Sequence, residues 1–345
     1  MKVLVTGSTG FIGGALCREL VAQGHEVHAF HRASSALRVL EDLPVVHGIG
    51  DLTQPETIQP AMQGIEVVFH AAALLGGNDD PGRMYAVTVE GTRSLLEVAR
   101  KAGVRRVVHT SSVAALGVPE SGPVNQPCLL NESHTWNYLP ERWPYGYTKY
   151  MAELEVQRAV AEGQDIVIVN PSIVFGAGDV YRQTSSLVVQ VARHKLPALV
   201  EGGVNFVHLQ DVVDGHLAAL EKGVCGERYI LAGENLTLVK AIEKVAAVVG
   251  TRPPLIVLPG GVARALAGPA ALFKNFIDLP AGPEVLYLAG KYFYYDNHKA
   301  QVELGLATPR PVEDGIKEAY AWFQQVGALP LKKEVEPQMD TDKPG

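Results

Sequence analysis

The chain is poor in cysteine, in long apolar runs and in clustered positive charge, and each scarcity excludes a class of protein. Cys17, Cys128 and Cys225 are the only thiols in 345 residues. They are odd in number, far apart and free of any CxxC or CxxxH grouping, so neither a disulfide framework nor a zinc site is expected, and a reducing cytoplasmic setting fits. Thirty Lys and Arg against 37 Asp and Glu leave a net charge of −7 with no basic cluster. That argues against nucleic acid or an anionic membrane as partner and for a small-molecule ligand. The first apolar run ends at Thr6 and Gly7, too short for a signal peptide. The most apolar later stretch, Leu255–Phe273, carries Arg264 and several Pro and Gly residues. It suits a core or surface helix better than a membrane span, with peripheral membrane contact as the alternative.

What is present is a large apolar fraction, 47% hydrophobic with 19% charged, enough for one large domain or two closely joined ones. Strand-like and helix-like segments alternate to about residue 175. Strands are expected at Val3–Thr6, Glu26–Phe30, Val45–His47, Val67–His70, Arg106–Thr110 and Ile166–Asn170, and helices at Pro55–Met62, Met84–Ala102 and Tyr145–Ala161. This is the α/β pattern of a doubly wound parallel sheet, whose ligand crevice lies beyond the strand carboxyl ends. From Gly176 the chain is broken by prolines, as suits a smaller substrate-binding lobe, with helices expected at Asp211–Lys222 and Val312–Val326. The polar tail from Lys332 is expected to be disordered.

The chain opens MKVLVTGSTGFIGG, a β-branched run followed by glycines at 7, 10 and 13 and then helical spacing from Ile12. Gly7 allows a tight turn, Gly10 lets backbone approach a pyrophosphate, and Gly13 lets the helix pack closely on the sheet. Thr9, Phe11 and Ile12 complete this candidate cofactor turn, where a helix N-terminus offers free amides. The second strand runs out at His31–Arg32, where an NAD-binding chain places an acid. Arg32, beside Ser34 and Ser35, would instead pair with a 2′-phosphate, favouring NADP over NAD; a solvated surface arginine is the alternative. Asp51, next to Leu52 in GDL, would accept from an adenine amino group or cap the following helix. In His70–Ala73, the small Ala71, Ala72 and Ala73 leave room for a nucleotide or for close helix packing.

Tyr145 and Lys149 lie four residues apart on a helix expected to start at Pro144, so both side chains share one face. An ammonium held near a phenol would lower its pKa, and the phenol could then exchange a proton with a carbonyl or alcohol. Ser112 or its neighbour Ser111, just past Thr110, would bind the same substrate oxygen.

TGSTGFIGG, GDL, HAAA, TSSVAALG, YGYTK and VNPSIVFGAGD, in this order and spacing, resemble the extended short-chain dehydrogenase/reductase family, within the NAD-dependent epimerase/dehydratase superfamily. NFVHLQDVVDGHLAALEKG and GERYILAGENLTL are most similar to its dihydroflavonol 4-reductase-like and hopanoid-associated sugar epimerase-like branch. The resemblance implies a Rossmann domain over 1–175, a lobe over 176–330 with elements returning to the first domain, and a tail over 331–345. It implies a catalytic Ser112, Tyr145 and Lys149, with Thr110, Tyr145 and Lys149 also at the cofactor, and favours Ser112 over Ser111. It places Pro171, Ser172 and Val174 beside the nicotinamide, Asp211 in a structural loop near the site, and a homodimer through Met84–Ala102 and Tyr145–Ala161. Two departures stand out: Thr88 replaces the usual Asn of NVxGT, and His31 replaces the acid of NAD-dependent epimerases. The implied activity is NADP-dependent hydride transfer to a carbonyl or from a secondary alcohol. The alternatives are a sugar or nucleotide-sugar epimerase or dehydratase that retains its cofactor, and a nucleotide-sensing protein without turnover.

Overall fold

The computed structural model describes residues 1–74, 80–120, 127–181, 186–273 and 283–330; the tail from residue 331 lies outside them. Seven strands form the main sheet: β1 (Lys2–Thr6), β2 (Glu26–His31), β3 (Val46–Ile49), β4 (Val67–His70), β5 (Arg106–Thr110), β7 (Ile166–Pro171) and β11 (Arg228–Leu231), with the short β6 (Leu129–Leu130) outside it. All its pairings are parallel, in the order β11-β7-β5-β4-β1-β2-β3. Strand order reverses between β1 and β4, so the carboxyl ends of these two flank the crevice where such sheets bind ligands.

Alternation along each strand divides the core. Val3, Val5, Val67, Phe69, Val108, Val167 and Val169 pack on one face against Leu16 and Leu20 of α1 (Phe11–Ala22) and Val212 and Val213 of α7 (Leu209–Lys222). Leu4, Val68, Val107, Ile166 and Ile168 face the other way, onto α2 (Pro55–Ala61), α4 (Gly91–Ala102) and α5 (Pro144–Ala161). With both faces covered, the strands read as near-continuous apolar runs.

Before α4 the chain makes a short helix α3 (Pro81–Tyr85) and a π-helical turn at Ala86–Glu90. The single helix expected over Met84–Ala102 is therefore interrupted by one wide turn, a feature that often marks functional sites.

The later residues build a second sheet from β12 (Glu234–Thr237), β10 (Gly203–His208), β14 (Tyr292–Tyr295) and β6, with β8 (Ile173–Phe175) beside β10. A third pairs β9 (Leu199–Val200) with β13 (Val257–Leu258). Around them lie α6 (Ser186–Ala192), α8 (Leu238–Val249), α9 (Gly260–Phe273), α10 (Pro283–Leu288), α11 (His298–Leu304) and α12 (Val312–Gln325). Phe175, Phe206, Ile242, Val245, Ile316 and Phe323 centre this second core. No helix among the described residues is long and apolar enough to cross a membrane.

Candidate active site

The cofactor turn answers to several demands at once. Gly7 has φ +63°, in the left-handed region, and a Cβ added there would lie 2.8 Å from the Ala72 amide nitrogen. The turn therefore touches the Ala71–Ala72 segment that leaves β4, at the point where strand order reverses. A Cβ on Gly13 would lie 2.2 Å from the Gly7 carbonyl oxygen. Gly13 thus permits α1 to close on the turn itself, not on the sheet as its position in the motif suggests. Gly10 caps α1 without a side chain, no acid occupies the first turn, and the Gly10 amide already donates to Gly7 O at 2.8 Å. The amides of Phe11, Ile12 and Gly13 have no partner within the helix. A bare backbone cradle at a positive helix end fits a dinucleotide diphosphate. Gly7→Ala is expected to cost about 1–2 kcal/mol in backbone strain alone, and to weaken cofactor binding at least tenfold because the Ala72 contact is backbone. Calorimetric titration checks this; an unchanged Kd would free Gly7 of the role.

Beyond the ends of β2 and β3, Arg32 is exposed and Asp51 half-buried. Burial pushes the Asp51 carboxyl up, but bonds from the Thr53 amide and hydroxyl and the charges of Arg32 and Arg83 outweigh it and hold it below its ordinary value. Asp51 spends Oδ1 on Thr53, at 2.9 and 2.8 Å. The residue capping α2 is Gln54, so Asp51 does not cap that helix. His31 donates from Nδ1 to Arg32 O at 3.0 Å and meets His47 Nδ1 through Nε2 at 3.0 Å. Leu52 is buried, and a Cβ on Gly91 would lie 2.9 Å from its Cβ.

Below the crevice runs a chain of buried bonds. The Ala72 amide donates to Thr6 Oγ1 at 3.2 Å, and Thr6 Oγ1 to His70 Nδ1 at 2.7 Å. His70 Nε2 then meets Thr92 Oγ1 at 2.9 Å, which donates to Thr88 O at 2.6 Å. The donors upstream leave the proton of His70 on Nε2. Burial, with the Lys149 charge adding, pushes His70 down to about 3; it is a neutral connector. The Thr88 hydroxyl accepts from the Leu74 amide at 3.3 Å, joining the π-helical turn to the segment that leaves β4.

Pro144 starts α5, which places Tyr145 in its first turn, half-buried, and Lys149 one turn further in, 3% exposed. Ser112 follows β5, accepts from the Ala114 amide at 3.2 Å, and lies near enough to the Tyr145 phenol to lower its pKa. Ser111 Oγ is buried with no partner. It is Ser112, then, that the fold brings to Tyr145. Lys149 Nζ donates to Thr110 O at 2.9 Å. Burial pushes this ammonium down to about 8, against the pull of Glu153. The phenol differs from expectation: burial raises it, the neighbouring Ser112 only partly offsets this, and the lysine makes its hydrogen bond to the Thr110 carbonyl instead.

Pro171 ends β7, Ser172 donates to Asn205 Oδ1 at 2.7 Å, and Val174 is buried in the core cluster shared with α7. Ala73 follows Ala72 in the segment leaving β4, and Thr9 is buried in the turn. Asp211 lies in the first turn of α7, not in a loop, and accepts from the Arg310 amide at 2.8 Å. Trp136 packs on Trp143, Tyr147 and Tyr150 beside the site, whereas Phe206 is a core residue against Phe175. Glu153, Asn170 and Arg228 were not among the expected site residues, although Glu153 follows Lys149 at helical spacing.

A doubly wound sheet with a glycine cradle at its reversal point, and a Tyr and a Lys on the helix beside it, defines a nicotinamide-dinucleotide protein of the short-chain dehydrogenase/reductase type. The chain belongs to the NAD dependent epimerase/dehydratase family, whose model matches residues 3–232. It is 36% identical over 333 residues to a provisionally named dihydroflavonol 4-reductase of Synechocystis sp., covering 94% of each chain. It is 32% identical over 351 residues to the 4-hydroxy-2-methyl-3-oxo-4-farnesyl-3,4-dihydroquinoline-1-oxide ketoreductase of Stigmatella aurantiaca, covering 96% of this chain and 99% of that one. The crystal structure of gox2253 superposes with a TM-score of 0.83 at 35% identity, over 95% of this chain and 99% of the other. The chain is thus an extended short-chain dehydrogenase/reductase with reductase-named relatives.

Proposed function

We propose that this protein is an NADP-dependent reductase of a small-molecule ketone or aldehyde, with Tyr145 as proton donor. The observation that carries this is the Tyr145 phenol, in the first turn of α5 beside Ser112 and one turn before the buried Lys149. A phenol that keeps its proton until charge develops on a carbonyl oxygen can deliver it there. The names of the Synechocystis and Stigmatella relatives agree with reduction.

The residues divide the work by position. The Gly7–Gly13 turn would hold the diphosphate, Lys149 the nicotinamide ribose, and the small Ala71–Ala73 segment would leave room between them. The bound cofactor supplies hydride. Ser112 holds the carbonyl oxygen within reach of Tyr145, and the phenol delivers a proton as negative charge develops there. The Lys149 ammonium, one turn along α5, would favour the phenolate as it forms.

Purified protein incubated with NADPH and a carbonyl panel is expected to oxidise free cofactor in proportion to alcohol formed. Conversion of a sugar nucleotide without net cofactor change would select the epimerase reading, and cofactor binding without any turnover would select the sensor.

NADP preference rests on Arg32 and on the absence of any acid between His28 and Ser35. A guanidinium on a 2′-phosphate contributes about 1.5–3 kcal/mol as a charge-assisted bond, roughly tenfold or more in Kd. Arg32→Ala is expected to weaken NADPH by that factor and leave NADH nearly unchanged, by titration of apoprotein at low salt. Parallel losses would instead place the arginine on the adenine that both cofactors share.

A further inference from the structure

Behind Lys149 lies a buried charge that the proposed reaction does not use. Glu153 is only 4% exposed and stands one turn beyond Lys149 on α5. Its Oε1 accepts from Asn170 Nδ2 at 2.7 Å, and the same Nδ2 donates to Ser112 O at 2.9 Å. Its Oε2 pairs with Arg228 Nη1 at 3.0 Å. The remaining donors of Arg228 reach Glu132 O at 2.9 Å and His134 O at 2.7 Å, in the segment leading to Trp136. One carboxylate therefore joins the helix that carries Tyr145 and Lys149, the turn that carries Ser112, and strand β11.

A buried carboxylate is costly unless it is paired and serves several donors. Here three elements converge on it, and each bond acts on the site. We propose that Glu153, fixed by Arg228, is a positioning residue of the reaction centre: it sets the charge state of Lys149 and, through Asn170, the place of Ser112.

The other groups facing Lys149 carry no competing charge. His70 on β4 and His109 on β5 are both held neutral, chiefly by burial, and the ring nitrogens of His109 have no partner. Tyr145 keeps its proton. Arg228 faces Glu153 from β11 and dilutes its field. Removing the carboxylate and removing its counter-ion should therefore move Lys149 in opposite directions, which loss of packing alone would not do.

The test is the pH titration of the Lys149 13Cε resonance in cofactor-free protein, assigned by its disappearance in Lys149→Gln. Wild type is expected to titrate near pH 8. Glu153→Gln should move the midpoint down by about one unit and Arg228→Gln should move it up, with Glu153→Asp restoring most of the wild-type value. In the active protein the alkaline limb of kcat/KM should follow the same order. A midpoint that stays put, or shifts the same way in both variants, overturns the proposal; if Glu153→Gln does not fold, Arg228→Gln and Glu153→Asp decide it alone. The proposal rests on the reductase reading only for its kinetic arm. Absence of turnover would overturn that reading and leave the apoprotein titration to stand or fall separately.

Discussion

Tyr145→Phe is expected to lower turnover by about 10²–10⁴, the range that positioned acid–base groups contribute, with NADPH affinity held within a few-fold. The substitution removes one oxygen and little volume. The ring sits in the first turn of α5, half-buried, so the fold has small cause to change. What is lost is the hydroxyl beside Ser112 and the proton itself. Ser112 and Lys149 stay in place through bonds that do not pass through Tyr145: the Ala114 amide to the serine hydroxyl and Lys149 to Thr110 O. KM should therefore move less than kcat. Near-normal turnover, measured as NADPH oxidation at saturating carbonyl, would remove Tyr145 from the mechanism and point to a solvent-derived proton.

The parts of this centre differ in how far sequence exposes them. β4 at Val67–His70 and β5 at Arg106–Thr110 have the expected bounds, because short β-branched runs there end sharply at turn and small residues. The Gly7 turn is equally plain, since only glycine accepts both its positive φ and the approach of Ala72. The π-helical turn at Ala86–Glu90 leaves no such trace: one extra residue per turn shifts the apolar face without breaking its period. β11 escapes because it comes after the regular strand–helix alternation has ended and joins the far edge of a sheet begun over two hundred residues earlier. The Glu153 network was illegible for a simpler reason. Its bonds span 17, 58 and 75 residues, and a polar side chain at a core position says nothing of its partner until the chain has folded. The phenol was misjudged on similar grounds. Spacing puts Lys149 on the same face as Tyr145, but only the fold shows the ammonium drawn down to the Thr110 carbonyl.

Lys149→Met should damage function and yet leave the cofactor-free protein no less stable at neutral pH. In the proposed reaction, loss of the ammonium would remove the partner of the nicotinamide ribose and the positive charge near the forming phenolate. Turnover is expected to fall by about 10² or more, and cofactor affinity by about tenfold, the worth of one charge-assisted bond. Stability moves the other way. The lysine is buried and titrates at about 8 instead of 10.5, so the folded state binds its proton more weakly than the unfolded chain does. The charged form thus costs about 3 kcal/mol at pH 7, where this penalty is fully present. Methionine of similar length removes that cost, while leaving Thr110 O without its donor forfeits about 1–3 kcal/mol. The two nearly cancel at pH 7. As pH rises from 8 to 10.5 the wild type sheds its penalty and gains stability, and the variant has none to shed. The difference between the two apoproteins should therefore widen in favour of wild type between pH 7 and 9.5, read from urea unfolding midpoints. A difference that stays constant over that range would mean that Lys149 is not held in the fold as a desolvated ammonium, and its service to the cofactor would then have to come from a side chain that water already reaches.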